Sequence, residues 1–142
     1  MAGKTIEEIN IGDVAEFSKT VTETDIILYA GITGDFNPVH IDKEYAEKTM
    51  FKSRIAHGML SAGFISTLLG MHLPGPGTIY MKQELNFLAP VRIGDTLTAR
   101  AEVMEIVESK KRVVLRTTCT NQNGTLVLDG QAVVIPPRAA KS

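Results

Sequence analysis

The chain has no tryptophan, one cysteine and a formal charge close to zero, and each scarcity removes a class of explanation. A lone cysteine, Cys119, rules out an internal disulfide and every zinc pattern built on several cysteines. A net charge of −1 leaves no basic bias, which argues against a nucleic-acid partner, since such readers carry a basic patch or stripe. A local basic patch for a phosphorylated small molecule stays open. No uninterrupted apolar run is long enough to span a membrane. The start, MAGKTIEEINIGD, lacks the apolar region of a secretory signal. These absences together predict a soluble cytoplasmic protein with no membrane partner.

What is present suits one domain. The 142 residues, 44% of them hydrophobic, can bury a full core. Residues 1–142 read as a single domain with its core over about 11–136 and a flexible tail from 137 to 142. There are no internal repeats.

Chemistry concentrates in one stretch, Thr33 to Leu60. Asp35-Phe36-Asn37-Pro38-Val39-His40 crowds an acid, an amide, a proline and a histidine together. Fully extended, Asp35 and His40 would stand roughly 17 Å apart, at ~3.3–3.6 Å per residue. Asn-Pro is a turn signal, and proline biases Asn37 away from the right-handed helical region. A turn there folds His40 back toward Asp35. A carboxylate and an imidazole sharing one water are general acid–base equipment. The competing reading is that Asp35 and Asn37 only cap and turn a loop.

Around that stretch the pattern is helices first, strands after. Val14 to Val21 alternates as an edge strand. Thr22 opens a helix with Glu23 and Asp25 in its first turn, and Gly31 and Gly34 close it. Asp42 caps a short helix from Lys43 to Lys48. His57 to Met71 holds no Asp, Glu, Lys or Arg and reads as a helix buried on nearly all sides. Four long strands follow, over Thr78–Leu88, Thr96–Glu108, Arg112–Thr120 and Thr125–Ile135, and long strands without interior proline, such as Arg112–Thr120, leave an edge that pairing with a second copy would solve. In the third, Val113, Leu115, Thr117 and Cys119 alternate against Arg112, Val114, Arg116 and Thr118. Asn123-Gly124 is the strongest hairpin signal. The order argues α+β, with an antiparallel sheet curled around one buried helix.

Asp35-Phe36-Asn37-Pro38-Val39-His40-Ile41-Asp42 followed by Ile55-Ala56-His57-Gly58-Met59-Leu60 resembles the hydratase-2 motif of MaoC-like (R)-specific enoyl-CoA hydratases. The resemblance runs from about Ile11 to Pro136. It implies a hot-dog fold, a homodimer or dimer-based oligomer, and a coenzyme A thioester as substrate. It matches Asp35 and His40 to a catalytic dyad, Gly58 to a backbone donor for the thioester carbonyl, and Ser66 to a serine on the central helix. Lys52-Ser53-Arg54 departs from the Arg-Pro of some members, a change expected to affect loop stiffness more than chemistry.

Those residue types suit hydration of a 2-enoyl thioester. Charge develops on the carbonyl oxygen, and a helix N-terminus supplies N–H donors for it. Gly58 stands at such a terminus. Which of Asp35 and His40 takes the water proton is left open. Asn37 holds either the loop or the substrate, with the loop favoured. Ser66 and Leu69, three apart, are expected on one helix face, where Leu69 would floor a pocket for acyl chains of about four to six carbons, with spacing as the argument. Val134 would close the same floor. His57 is read as a helix-terminus residue with no chemical part, and His72 as decorating the helix C-terminus. The three histidines form no i, i+4 pair, so neither metal nor cofactor is expected. A hot-dog thioesterase, a dehydratase acting on acyl carrier protein, and a non-catalytic thioester-binding module are the alternatives. The first two commonly carry an acid on the central helix, which this chain lacks.

Overall fold

The computed structural model describes residues 2–139. The tail expected from 137 onward lies outside the described residues beyond Ala139. Five strands form one antiparallel sheet in the order β1 (Val14–Thr20), β3 (Thr96–Val107), β4 (Arg112–Thr120), β5 (Leu126–Ile135), β2 (Ile79–Phe87). The long helix α4 (Gly58–Met71) packs on its concave side. Among the described residues no helix is long and apolar enough to cross a membrane.

Most local signals act as read. Thr22 caps α1 (Glu23–Thr33): its hydroxyl accepts from the Asp25 amide at 3.1 Å, and the Asp25 carboxylate accepts from the Thr22 amide at 3.0 Å. Gly34 ends α1 at φ 83°, a conformation open to glycine at little cost. Asp42 caps α3 (Lys43–Glu47) through the Tyr45 amide. Asn121 Oδ1 accepts from the amides of Asn123 and Thr125 and shapes the last hairpin.

Alternation puts the core where the sequence places it. Val113, Leu115, Thr117 and Cys119 of β4 are fully buried, as are Leu97, Ala99, Ala101 and Val103 of β3. They meet Ile65, Leu68 and Leu69 of α4, each worth about 1.5–3 kcal/mol of burial. Register shifts after Val103 and Tyr80 insert Met104 and Met81 as bulges. Bulges bend a strand and raise its twist, which curls the sheet around the helix.

Two expectations are corrected. α4 is not covered on all sides: Met59, Gly63, Ser66, Thr67 and Gly70 are exposed along one stripe, of which Met59, Gly63 and Ser66 share a groove with β2. A five-stranded sheet curls only part of the way round a helix. Arg112–Thr120 is also not an edge, because β4 lies at the sheet's centre and the edges are β1 and β2. Strand order follows which hairpins pair, and alternation within one strand does not carry that information.

The β5–β2 pairing depends on Gly130. A Cβ there would stand 1.8 Å from the Glu84 carbonyl oxygen, a rigid backbone atom. Gly130→Ala is expected to cost about 1–3 kcal/mol, the usual range for overpacking. Gly31, expected to help close α1, lies within its last turn instead; with nothing within 4 Å of the new Cβ, Gly31→Ala should gain about 0.5–1 kcal/mol. Urea midpoints of the two variants should move in opposite directions.

Candidate active site

The dyad loop is built by its own turn chemistry. Asn37 caps the short helix α2 (Pro38–Ile41), its Oδ1 accepting from the Val39 amide at 3.2 Å. The Asn37 amide in turn donates to Asp35 Oδ1 at 3.2 Å. Asn37 is therefore occupied in holding the loop, the use favoured from the sequence. The turn brings His40 back, and ligand atoms of Asp35, His40 and His57 lie within 4.8 Å of one another. Asp35 is exposed; His40 and His57 are buried at 8% and 3% exposure.

Two hydrogen bonds cross between this loop and the segment before α4. His40 Nδ1 lies 2.7 Å from the Ile55 carbonyl oxygen, and His57 Nε2 lies 2.9 Å from the Asp35 carbonyl oxygen. A carbonyl only accepts, so each of these nitrogens carries its proton. A neutral His40 thus keeps its lone pair on Nε2, and a neutral His57 keeps its own on Nδ1. The Ile55 amide also donates to the Val39 carbonyl at 3.3 Å. Arg54 completes the brace: Nε donates to the His40 carbonyl at 2.7 Å and Nη1 to Glu23 on α1 at 2.8 Å.

Burial pushes His40 below the ordinary imidazole range. The Ile55 carbonyl opposes that shift, the neighbouring His57 adds to it, and the Asp35 carboxylate opposes it. His40 is consequently neutral at pH 7, with Nε2 ready to accept a proton. By atom type Asp35, His40 and His57 could hold a metal ion. The two imidazoles, however, stack with centroids 3.8 Å apart and planes 27° from parallel. Their lone pairs therefore lie in nearly parallel, stacked planes, a poor geometry for converging on one tetrahedral ion. Cys119 offers no nucleophile, since burial pushes its thiol up to about 12.

Gly58 opens α4, so its amide has no intrahelical acceptor. The Phe87 ring packs against it so closely that a Cβ would meet Phe87 Cδ1 at 2.7 Å. Gly58 also lines an apolar cavity of about 560 Å³ with Ala56, Met59, Ser61, Phe87 and Val127.

Of the sequence candidates only Gly58 lines that cavity; Asp35, Asn37 and His40 sit on the neighbouring loop, and Ser66 and Leu69 lie elsewhere on α4. Ser66 lines a separate groove with Met59, Gly63, Tyr80 and Gln83. Leu69, at 1% exposure, lies in the core and lines neither space, and Val134 is fully buried. Three helical residues amount to about 300°, so Ser66 and Leu69 diverge by about 60°. That divergence puts them on opposite sides of the boundary between stripe and core. Sequence reasoning missed His57 and Arg54 as parts of the site. The available signal was a histidine set between Ile55-Ala56 and an apolar helix, a place where it must be buried and so must find a partner.

A family model described as MaoC like domain matches residues 8–124. The chain belongs to the MaoC-like family. An (R)-specific enoyl-CoA hydratase of Rhodospirillum rubrum is 55% identical over 131 residues, covering 92% of this chain and 90% of that protein. A 3-hydroxybutyryl-CoA dehydratase of Methylorubrum extorquens is 43% identical, covering 93% and 83%. The solved R-hydratase of Pseudomonas aeruginosa, in its unliganded form, superposes with a TM-score of 0.91 at 42% identity, covering 99% of this chain and 94% of that one. The MaoC-like architecture is a hot-dog fold, and the five-stranded sheet around α4 is this chain's version of it.

Proposed function

We infer that this chain is an (R)-specific enoyl-CoA hydratase, a hydro-lyase that adds water to trans-2-enoyl-CoA and catalyses the reverse dehydration. The observation that carries this reading is the meeting of Asp35 and His40 with His57, the residue that directly precedes the open amide of Gly58. Water held between the carboxylate and the His40 Nε2 lone pair attacks C3 of the enoyl group. Negative charge moves onto the thioester oxygen, where the Gly58 amide and the positive end of α4 receive it. Between them, Asp35 and His40 remove one proton from water and return one to C2, so the pair ends as it began. The absence of any Asp or Glu on α4 argues against a thioesterase with its acid on that helix.

The finer points are proposals of the same kind. Coenzyme A as carrier, and a short acyl chain, are supported by the names of the Rhodospirillum and Methylorubrum relatives, the latter a four-carbon thioester enzyme. A pocket floor formed by Leu69 and Val134 is part of the same proposal; both side chains are buried in the core. A homodimer is supported by β2: one side pairs with β5, the other is an unpaired edge, and the exposed stripe of α4 lies beside it. Exposed edges invite pairing, and a symmetric copy is the commonest partner.

The assay is loss of crotonyl-CoA absorbance, with the chirality of the 3-hydroxy product determined. The wild type should give the (R) product, and Asp35→Ala and His40→Ala should each lose at least about 10²-fold in turnover. Full turnover in either folded variant removes that residue from the mechanism; an (S) product removes the reading. Light scattering should give a dimer mass at working concentration.

A further inference from the structure

We infer that His57 is a positioning residue for the acid–base pair, fixing Asp35 and His40 relative to each other through its Nε2–H and its ring face. The inference rests on the hydration reading above.

His57 occupies the N-cap position of α4, where Ser, Thr, Asp or Asn would cap the exposed amides. Its side chain makes no capping hydrogen bond. It turns toward the dyad loop instead, and it constrains both partners there. Nε2 donates to the Asp35 carbonyl at 2.9 Å and so locates the backbone that carries the carboxylate. One ring face stacks on His40 at 3.8 Å and sets the plane in which His40 Nε2 presents its lone pair. Tyr29 of α1 lies 4.7 Å from His57, ring centre to ring centre, and supports it. Nδ1 is buried without a hydrogen-bond partner, an unfavourable placement that packing alone does not need. An apolar side chain would fill the same volume at no such penalty.

The electrostatic consequence follows from what surrounds His40. Asp35 lies on its own loop, His57 stacks on it, and Arg54 donates to its carbonyl while pairing with Glu23 of α1. Removing the His57 ring opens His40 to water and deletes a like-charged neighbour, and both changes raise the protonation midpoint of His40.

Three variants separate the two contacts. His57→Gln can retain a donor near the Nε2 position, His57→Phe retains a ring for stacking, and His57→Ala retains neither. With crotonyl-CoA, His57→Ala should lose roughly 10²-fold in kcat, the scale of an ångström-level misplacement, with KM changed by less than about threefold. His57→Gln and His57→Phe should each recover part of that loss. The His40 imidazole, followed by NMR, should titrate at higher pH in His57→Ala than in the wild type. This last readout needs no substrate. If the wild type fails on crotonyl-CoA, the hydration reading falls, and the His40 titration still decides whether His57 sets the environment of the pair. Full kcat in folded His57→Ala would overturn the inference. So would a kcat loss with no recovery in either conservative variant, or an unchanged His40 titration.

Discussion

The site depends on a reciprocal brace in which each of two histidines hydrogen-bonds the backbone of the other's segment. His40 donates to Ile55, just before α4, and His57 donates to Asp35, just after α1. A neutral hydrogen bond contributes only about 0.5–1.5 kcal/mol net, so neither bond alone would hold a loop. Their value here comes from burial and from number. The His40 and His57 rings are shielded, stack on each other, and are backed by the Ile55–Val39 backbone bond and the Arg54 bridge to Glu23. A carboxylate on an exposed loop is thereby held against the rigid start of the central helix.

That arrangement explains how ordinary residues come to do acid–base work. His40 needs no charged partner to be neutral at pH 7, because burial alone disfavours its cationic form. Its bond to Ile55 selects the tautomer with Nε2 free. The helix supplies its N-terminal amide and the positive end of its dipole without any added cation. Gly58 gives that amide a close approach, and the packing of Phe87 on the same glycine shows how little room a side chain would have there.

Much of this was legible in the chain. The Thr22 helix start, the Gly34 stop, the Asn37-Pro38 turn and the alternation of β4 are local rules, and the structure follows them. What the sequence did not carry was long-range. His40 and His57 are brought together by the packing of two segments, a contact that short-range spacing does not reveal. β1 was read as an edge and is one, but the other edge could not be told from a central strand, since β2 joins the sheet beside β5 instead of its sequence neighbour β3. Arg54 passed as a change of loop stiffness because its partner, Glu23, lies on a different helix.

The most direct measurement is imidazole ¹⁵N NMR of the wild-type protein across the acid-to-neutral range. In their neutral forms, His40 should be the Nδ1–H tautomer and His57 the Nε2–H tautomer, an opposed pair dictated by the two carbonyls. His40 should take up its proton below about pH 6.5, the ordinary imidazole value, because burial lowers it. The same tautomer in both rings, or a His40 titration above that value, would contradict the brace and with it the account of how the pair is poised.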